Sequence, residues 1–195
     1  MWAICKKEWT HYFSGLTGYL IIGFYLVVNG LFLFILPNYN ILDFGYASLQ
    51  VYFDFAPWFL LLLIPAITMR GFSDEYKQGT YELLKSLPVT PNALVIAKFL
   101  GAYFIVLAAI LPTLFYAVAI DALGSVGGLD WGATTGAYIG LLLLAGAYTA
   151  VGVFSSASTS NSLIAFIKSI VLSILLYKGF DLVSSLAVFN NGLSY

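Results

Sequence analysis

Residue types that commonly do chemistry are scarce in this sequence. One histidine, His11, and one cysteine, Cys5, occur in 195 residues. A lone histidine argues against a histidine metal site or proton relay, and a lone cysteine excludes an internal disulfide framework or a cysteine-rich metal site. Asp43, Asp54, Asp121 and Asp130 could supply paired carboxylates for acid–base or metal chemistry. They fall at no motif spacing, however, and read as solvated acids. The serines of SSASTSNS, 155–162, have no histidine nearby to activate them, so nucleophilic catalysis is unsupported. No GxxxxGK[ST] phosphate loop occurs anywhere. An intramembrane enzyme is therefore the least supported class, and no cofactor or metal is expected in this chain.

The densest charge cluster is RGFSDEYKQGTYELLKSLPVTP, which brings together Arg70, Asp74, Glu75, Lys77, Glu82 and Lys85, with Lys98 close behind. Phe72, Tyr76, Thr80, Leu83, Leu84 and Leu87 recur at spacings of three and four, one apolar stripe of an amphipathic helix. Ser73 or Asp74 is positioned to cap its start. Gly79 weakens its middle by about 1 kcal/mol relative to alanine, and can divide it into two short helices with Thr80 capping the second. Pro88 and Pro91 stop it. Such a helix either rests on a membrane or docks into a partner's groove. Asp74, Glu75 and Glu82 beside Lys77 and Lys85 give a mixed polar face that anionic lipid would repel in part, which tilts the reading towards a protein partner.

The elements that must carry this segment are membrane spans. The composition is 61% hydrophobic and only 9% charged, against roughly 25% charged in soluble domains, and the mean hydropathy is +0.94. An ordinary soluble domain, a disordered chain and a coiled coil are excluded. The net charge of -1 gives no signal for nucleic acid. Runs of about 20 apolar residues predict five spans, near 16–36, 55–69 (starting a turn earlier, at Asp54), 90–120, 134–154 and 163–180. The first ends at Pro37-Asn38. The second holds Pro57 and Pro65, and the third opens on Thr90-Pro91, an N-cap followed by proline at the first helical position. The sequence thus predicts an all-α, polytopic helical bundle, a single transmembrane domain over 1–195. The first residues, 1–15, read as an interfacial segment carrying Trp2, Trp9, Tyr12, Phe13, Lys6 and Lys7, not as a cleavable signal. The tail 182–195 is too short to span.

Lysine and arginine set the orientation. Lys6, Lys7, Arg70, Lys77, Lys85 and Lys98 put the N-terminus and the 70–90 segment in the cytoplasm, and the loops near Asp43 and Asp130 outside. Gly45, Gly124, Gly127 and Gly128 mark turns in those loops. Five spans leave the C-terminus outside, so a sixth span is expected to be missing from this chain, by truncation or by natural loss. In the fourth span Gly136 and Gly140 form a GxxxG pair, followed by Gly146 and Ala150. This small face suits tight packing inside the bundle, or else a contact with a second permease-like chain. Lys168 is close enough to the inner end to snorkel, and Lys178 stands three residues before Asp181, a plausible ion pair. Lys98, one or two turns into the third span, reads the same way, as a snorkelling or paired lysine, and a role for any of these lysines in a substrate path is the less favoured reading.

The run DEYKQGTYELLKSLPVT, 74–90, with KFLG following, resembles the acidic–GT–E–L–L–P signature of ABC-2-type permeases, the membrane subunits of ATP-binding-cassette transporters. KKE near the N-terminus, NILDFGYASL, APWFLLLLIPAITMR and ILPTLFY are similar to the gliding-motility-associated permease subgroup of Bacteroidota. The resemblance implies six spans in the family, and a location in the bacterial inner membrane. It implies a separate cytoplasmic ATPase that binds ATP and magnesium, and a second permease copy or related subunit. It further implies that 72–87 is a coupling helix, with Asp74, Glu75, Gly79, Thr80, Glu82, Leu83 and Leu84 against the ATPase, and that 1–15 is the elbow helix on the membrane lipid. A membrane scaffold that anchors a cytoplasmic partner without transport is the alternative reading.

Overall fold

The computed structural model describes residues 2–35, 48–82, 90–123 and 128–184, with residues 2–4, 7, 11, 17 and 180–184 described by their backbone alone. All regular structure among these residues is helical. Helix α1 is Trp2–Ser14, α2 Leu16–Phe34, α3 Gln50–Thr68 and α4 Ser73–Gln78. Helix α5, Pro91–Ile110, passes through a 3-10 turn at Leu111–Thr113 into α6, Leu114–Leu123. Helices α7, Trp131–Ala157, and α8, Ser162–Ser184, complete the described chain.

Among the described residues four helical stretches are long and apolar enough to cross a membrane, and there are five when Glu8–Ser14 and Gly18–Phe34, inclined at 76°, count as one bent span. The molecule is a multi-pass membrane bundle. Its periphery carries large exposed apolar side chains, among them Phe24 and Val27 of α2, Phe115 of α6, Leu143 of α7 and Ile167 of α8. In lipid these cost nothing, and helices there satisfy every backbone polar group internally. The core is a stripe of α3 at four-residue spacing, Tyr52, Ala56, Leu60 and Ile64, which is buried with Val106 and Ala109 of α5 and Ala145 and Tyr148 of α7. Van der Waals fit holds such helices together, because lipid is as apolar as leucine. Gly152 shows how close that fit is. A Cβ built there would lie 2.2 Å from Thr68 Oγ1, so only glycine lets α7 meet the end of α3.

Helix α5 starts where its capping residue predicts, and α7 starts on a cap that reads from sequence as a solvated acid. Thr90 Oγ1 accepts the Ala93 N–H at 3.4 Å ahead of Pro91, and Asp130 Oδ1 accepts the Ala133 N–H at 3.1 Å. Asp130 is thus an N-cap, and Asp121 accepts the Leu129 N–H at 2.8 Å. Both acids have structural jobs beyond solvation. The second span begins at Gln50, earlier than expected, and places Asp54 inside α3 on an exposed face.

The third span is not continuous. Pro112 has no N–H to donate, and the helix tightens into a 3-10 turn around it. Thr113 Oγ1 donates to the Ile110 carbonyl at 2.6 Å, the Tyr52 hydroxyl donates to Thr113 Oγ1 at 3.0 Å, and the Tyr138 hydroxyl donates to the Thr113 carbonyl at 3.0 Å. Side chains of α3 and α7 thereby hold the turn that follows the proline. The SSASTSNS run is also shorter as a turn than it reads, because Ser155 and Ser156 lie within α7.

Gly136 and Gly140 do not pack inside the bundle. Both are exposed, and a Cβ at either would meet open space. Gly146 does pack, facing the Tyr103 ring at 3.6 Å, and Ala150 is exposed. Lys168 Nζ reaches back to Ser158 Oγ at 2.7 Å, in keeping with a side chain that extends to the end of its span. The expectations for Pro37-Asn38, Asp43, Gly45, Gly124, Gly127 and the tail after Ser184 lie outside the described residues. So do those for Lys85, Leu87 and Pro88, and for the side chains of Trp2, Lys7 and Asp181.

Candidate coupling site at the basic end of the bundle

The charged segment begins where α3 ends. Helix α4 runs only from Ser73 to Gln78 and stops at Gly79, whose φ of 69° is left-handed. The Thr80 N–H bonds the Glu75 carbonyl at 3.0 Å and the Gly79 N–H bonds the Tyr76 carbonyl at 3.3 Å. This is the Schellman pattern, which glycine enters without steric cost. The backbone is helical again at Tyr81 and Glu82. Gly79 therefore divides the predicted helix in two, and Leu83 and Leu84 lie outside the described residues.

Neither Ser73 nor Asp74 caps α4. Ser73 is buried, and its hydroxyl turns back to the Met69 carbonyl. The cap comes from α7. Ser156 Oγ accepts the Phe72 N–H at 2.9 Å and the Ser73 N–H at 3.2 Å, and donates to the Met69 carbonyl at 3.1 Å. One hydroxyl thus satisfies three backbone groups that the end of α3 and the start of α4 leave open. The described part of the apolar stripe faces the bundle. Phe72 is buried with Leu94 and Val153, and Tyr76 and Tyr81 pack beside them with ring centroids 4.5 Å apart.

Lys98 is the centre of this end. It lies on the second turn of α5 and is 4% exposed. Its ammonium donates to Glu8 of α1 at 2.9 Å, to Glu75 of α4 at 2.8 Å and to the Gly71 carbonyl at 2.7 Å, and it sits 4.9 Å from the centre of the Phe72 ring. All three donors of the ammonium are used. At an effective dielectric of 20, each ion pair is worth about 6 kcal/mol before desolvation, which removes most of the gain. The asymmetry is what matters, because removing one partner of a buried pair costs about 3–5 kcal/mol.

Of the predicted contact residues, Glu75 is therefore directed inward at Lys98, Gly79 and Glu82 are exposed, and Asp74 and Thr80 are half-buried. Thr80 Oγ1 also donates to the Glu75 carbonyl, at 3.4 Å. Sequence reasoning did not find Glu8, Ser156 or Gly152, and its expectation of snorkelling or pairing for Lys98 named no partners, which are Glu8 and Glu75. A charge inside an apolar span was the available signal for Lys98, since such groups need partners. Among the described residues no group of three His, Cys, Asp or Glu stands where it could hold a metal ion.

The sequence model of the ABC-2 family transporter protein matches residues 19–195. This chain belongs to the ABC-2 transporter family. No curated protein and no solved structure matches it. The chain is thus a membrane permease of an ABC transporter, a class whose partner is an ABC ATPase. The family match spans α2 to the C-terminus and includes the whole 70–98 segment. Helix α1, which supplies Glu8 to the Lys98 node, lies ahead of it.

Proposed function

We propose that this permease couples ATP hydrolysis by a separate ATPase subunit to export or other membrane work, and that α4 and the turn at Gly79 form the coupling element. The observation that carries the reading is the Lys98 node. It ties α4 to a transmembrane helix and to the N-terminal helix through one buried ammonium. A push on α4 then reaches α5 and α1 together.

In this reading the end with Arg70, Lys77 and Lys98 faces the cytoplasm of a bacterial inner membrane, by the positive-inside rule. Helix α1 is the elbow on the membrane surface, and ATP and magnesium belong to the partner. A second permease copy or related subunit completes the path, and the exposed Gly136–Gly140 face is available to it. The resemblance to gliding-motility permeases makes that process the first to examine in cells.

The inward and outward residues divide the labour. Gly79 and Glu82, with Asp74 and Thr80 beside them, meet the ATPase, whereas Glu75 transmits. The test uses the complex purified from membranes. Glu82→Lys is expected to lose the ATPase. Glu75→Gln is expected to keep it but lose the stimulation of ATP hydrolysis by the permease. A cysteine replacing the exposed Gln78 should crosslink to the ATPase. Intact assembly and stimulation in both charge variants, with no crosslink, would overturn the proposal.

A further inference from the structure

The third span is one apolar stretch of 33 residues, Pro91–Leu123, and its backbone ladder changes at Pro112, which has no N–H. The Leu114 N–H turns to the Leu111 carbonyl, the tighter spacing of a 3-10 turn. An unbroken α-helix would offer the Ile110 carbonyl to the Leu114 N–H. Here the Thr113 hydroxyl takes that carbonyl, at 2.6 Å. At 1.5 Å per residue the joint lies about 21 Å along the helix from Lys98, in the outer part of an apolar layer about 30 Å thick.

The two sides of the joint are held differently. Before it, Ile105, Val106, Ala109 and Ile110 are buried in the core. Beyond it, α6 turns Leu114, Phe115, Val118 and Leu123 outwards and buries Ala117 and Ile120. The Tyr116 hydroxyl rests on the Leu26 carbonyl of α2 at 3.0 Å, and Asp121 Oδ1 accepts the Leu129 N–H at 2.8 Å. The joint itself is gripped by hydroxyls from other helices. Tyr52 of α3 gives its proton to Thr113 Oγ1 at 3.0 Å, which leaves Tyr25 of α2 to donate to Tyr52 at 3.4 Å. Tyr138 of α7 donates to the Thr113 carbonyl at 3.0 Å. These bonds are neutral, and the loss of one shifts an equilibrium by about fivefold. Each can let go without costing α5 or α6 a backbone bond of its own.

We infer that Leu111–Thr113 is a latched hinge, about which α6 swings as a separate lever while α5 stays in the core, with Tyr52 and Tyr138 as the latch. A 3-10 stretch inside a helix is a recurrent hinge device. The outward side chains of α6 move through lipid without loss, because lipid is as apolar as they are. The latch bonds are weak enough for both positions of α6 to be populated in the permease alone. The hinge needs no ATPase to open and so goes beyond the coupling reading without resting on it.

The test is double electron–electron resonance on the full chain in lipid nanodiscs, with Cys5→Ala and nitroxides on introduced cysteines at exposed positions. Val118→Cys with Leu143→Cys reports α6 against α7, and Ile96→Cys with Leu143→Cys reports α5 against the same helix. The expected result is two distances for the first pair and one for the second. Tyr52→Phe and Tyr138→Phe should each shift the ratio of the two populations by about fivefold, in the same direction. Pro112→Ala supplies the missing N–H and lets the ladder run through, so the first pair should collapse to one distance. A tyrosine variant that fails to fold broadens both pairs, and the other variant then carries the measurement. A single distance for the first pair in the parent and in both tyrosine variants would make the joint a fixed kink and overturn the proposal. Two distances for both pairs in the parent would mean motion of the whole bundle and overturn it too, as would two distances surviving in Pro112→Ala. No ATPase is present, so failure here is distinct from failure of the coupling reading.

Discussion

Lys98→Met tests the node most directly. Methionine keeps the length and apolar stem of lysine but removes the ammonium, leaving Glu8 and Glu75 facing each other with no cation between them. The three bonds lost measure 2.7, 2.8 and 2.9 Å, and the side chain is 4% exposed. Water therefore cannot replace the ammonium without opening the contact of α1, α4 and α5. The expected cost is about 3–5 kcal/mol. By the scaling for chains of this size, that is a drop in melting temperature of about 6–20 °C. The assay is unfolding of the purified chain in detergent, run on Lys98→Met and on the triple variant that also carries Glu8→Gln and Glu75→Gln. Most of the penalty is that of stranded carboxylates, so neutralising them should return the triple variant to within about 1–2 kcal/mol of the parent. A Lys98→Met cost below 1 kcal/mol would refute the reasoning, as would simple additivity of the three substitutions.

Further outcomes follow from the packing, the caps and the buried thiol. Ser156→Ala strips the cap from Phe72 and Ser73 and should cost about 1–3 kcal/mol, with faster hydrogen exchange at those two amides. Gly152→Ala forces its methyl against Thr68 and should destabilise by about 1–3 kcal/mol. Gly136→Ala meets open space and should be neutral, or stabilising by up to about 1 kcal/mol from helix propensity; equal effects at the two positions in a melting assay would contradict the packing of α7 on α3. Gly79→Ala places a side chain at φ 69° and should cost about 1–2 kcal/mol while weakening the ATPase contact in pull-downs. Burial, and then the nearby Glu8 charge, push the Cys5 thiol above its ordinary value. Less thiolate is present at any given pH below that raised value, so alkylation should be slow at neutral pH and rise as pH rises. It should quicken in Lys98→Met if α1 loosens from α5.

The spans were legible because lipid imposes one rule on every residue of a segment, and runs such as Leu60–Ile64 or Leu141–Leu144 obey it without regard to neighbours. The cap at Thr90 was legible for the same reason, since its partner is three residues away, whereas Asp130, which caps α7 in the same way, reads from sequence as a solvated acid. Pro112 was visible but its effect was not, since other spans tolerate proline. Whether a helix breaks there depends on Tyr52 and Tyr138 arriving from α3 and α7 to satisfy Thr113 and its carbonyl. The site was legible as a segment and not as an arrangement. Its acids announce themselves by composition, but nothing local says that Glu75 turns inward while Glu82 stays exposed. That choice is made by Lys98, and Glu8 joins from a distance of 90 residues.

The cap on α4 sets a rule for exchanging parts between relatives. The loop after α3 owes its shape to a hydroxyl on α7, 84 residues later, and its orientation to an ammonium on α5. Transplanting 70–82 alone into another permease would therefore carry the letters of the segment without its form. A graft meant to redirect this permease to a different ATPase has to travel with Ser156, Lys98 and Glu8, or land in a host that already holds their equivalents in the same places.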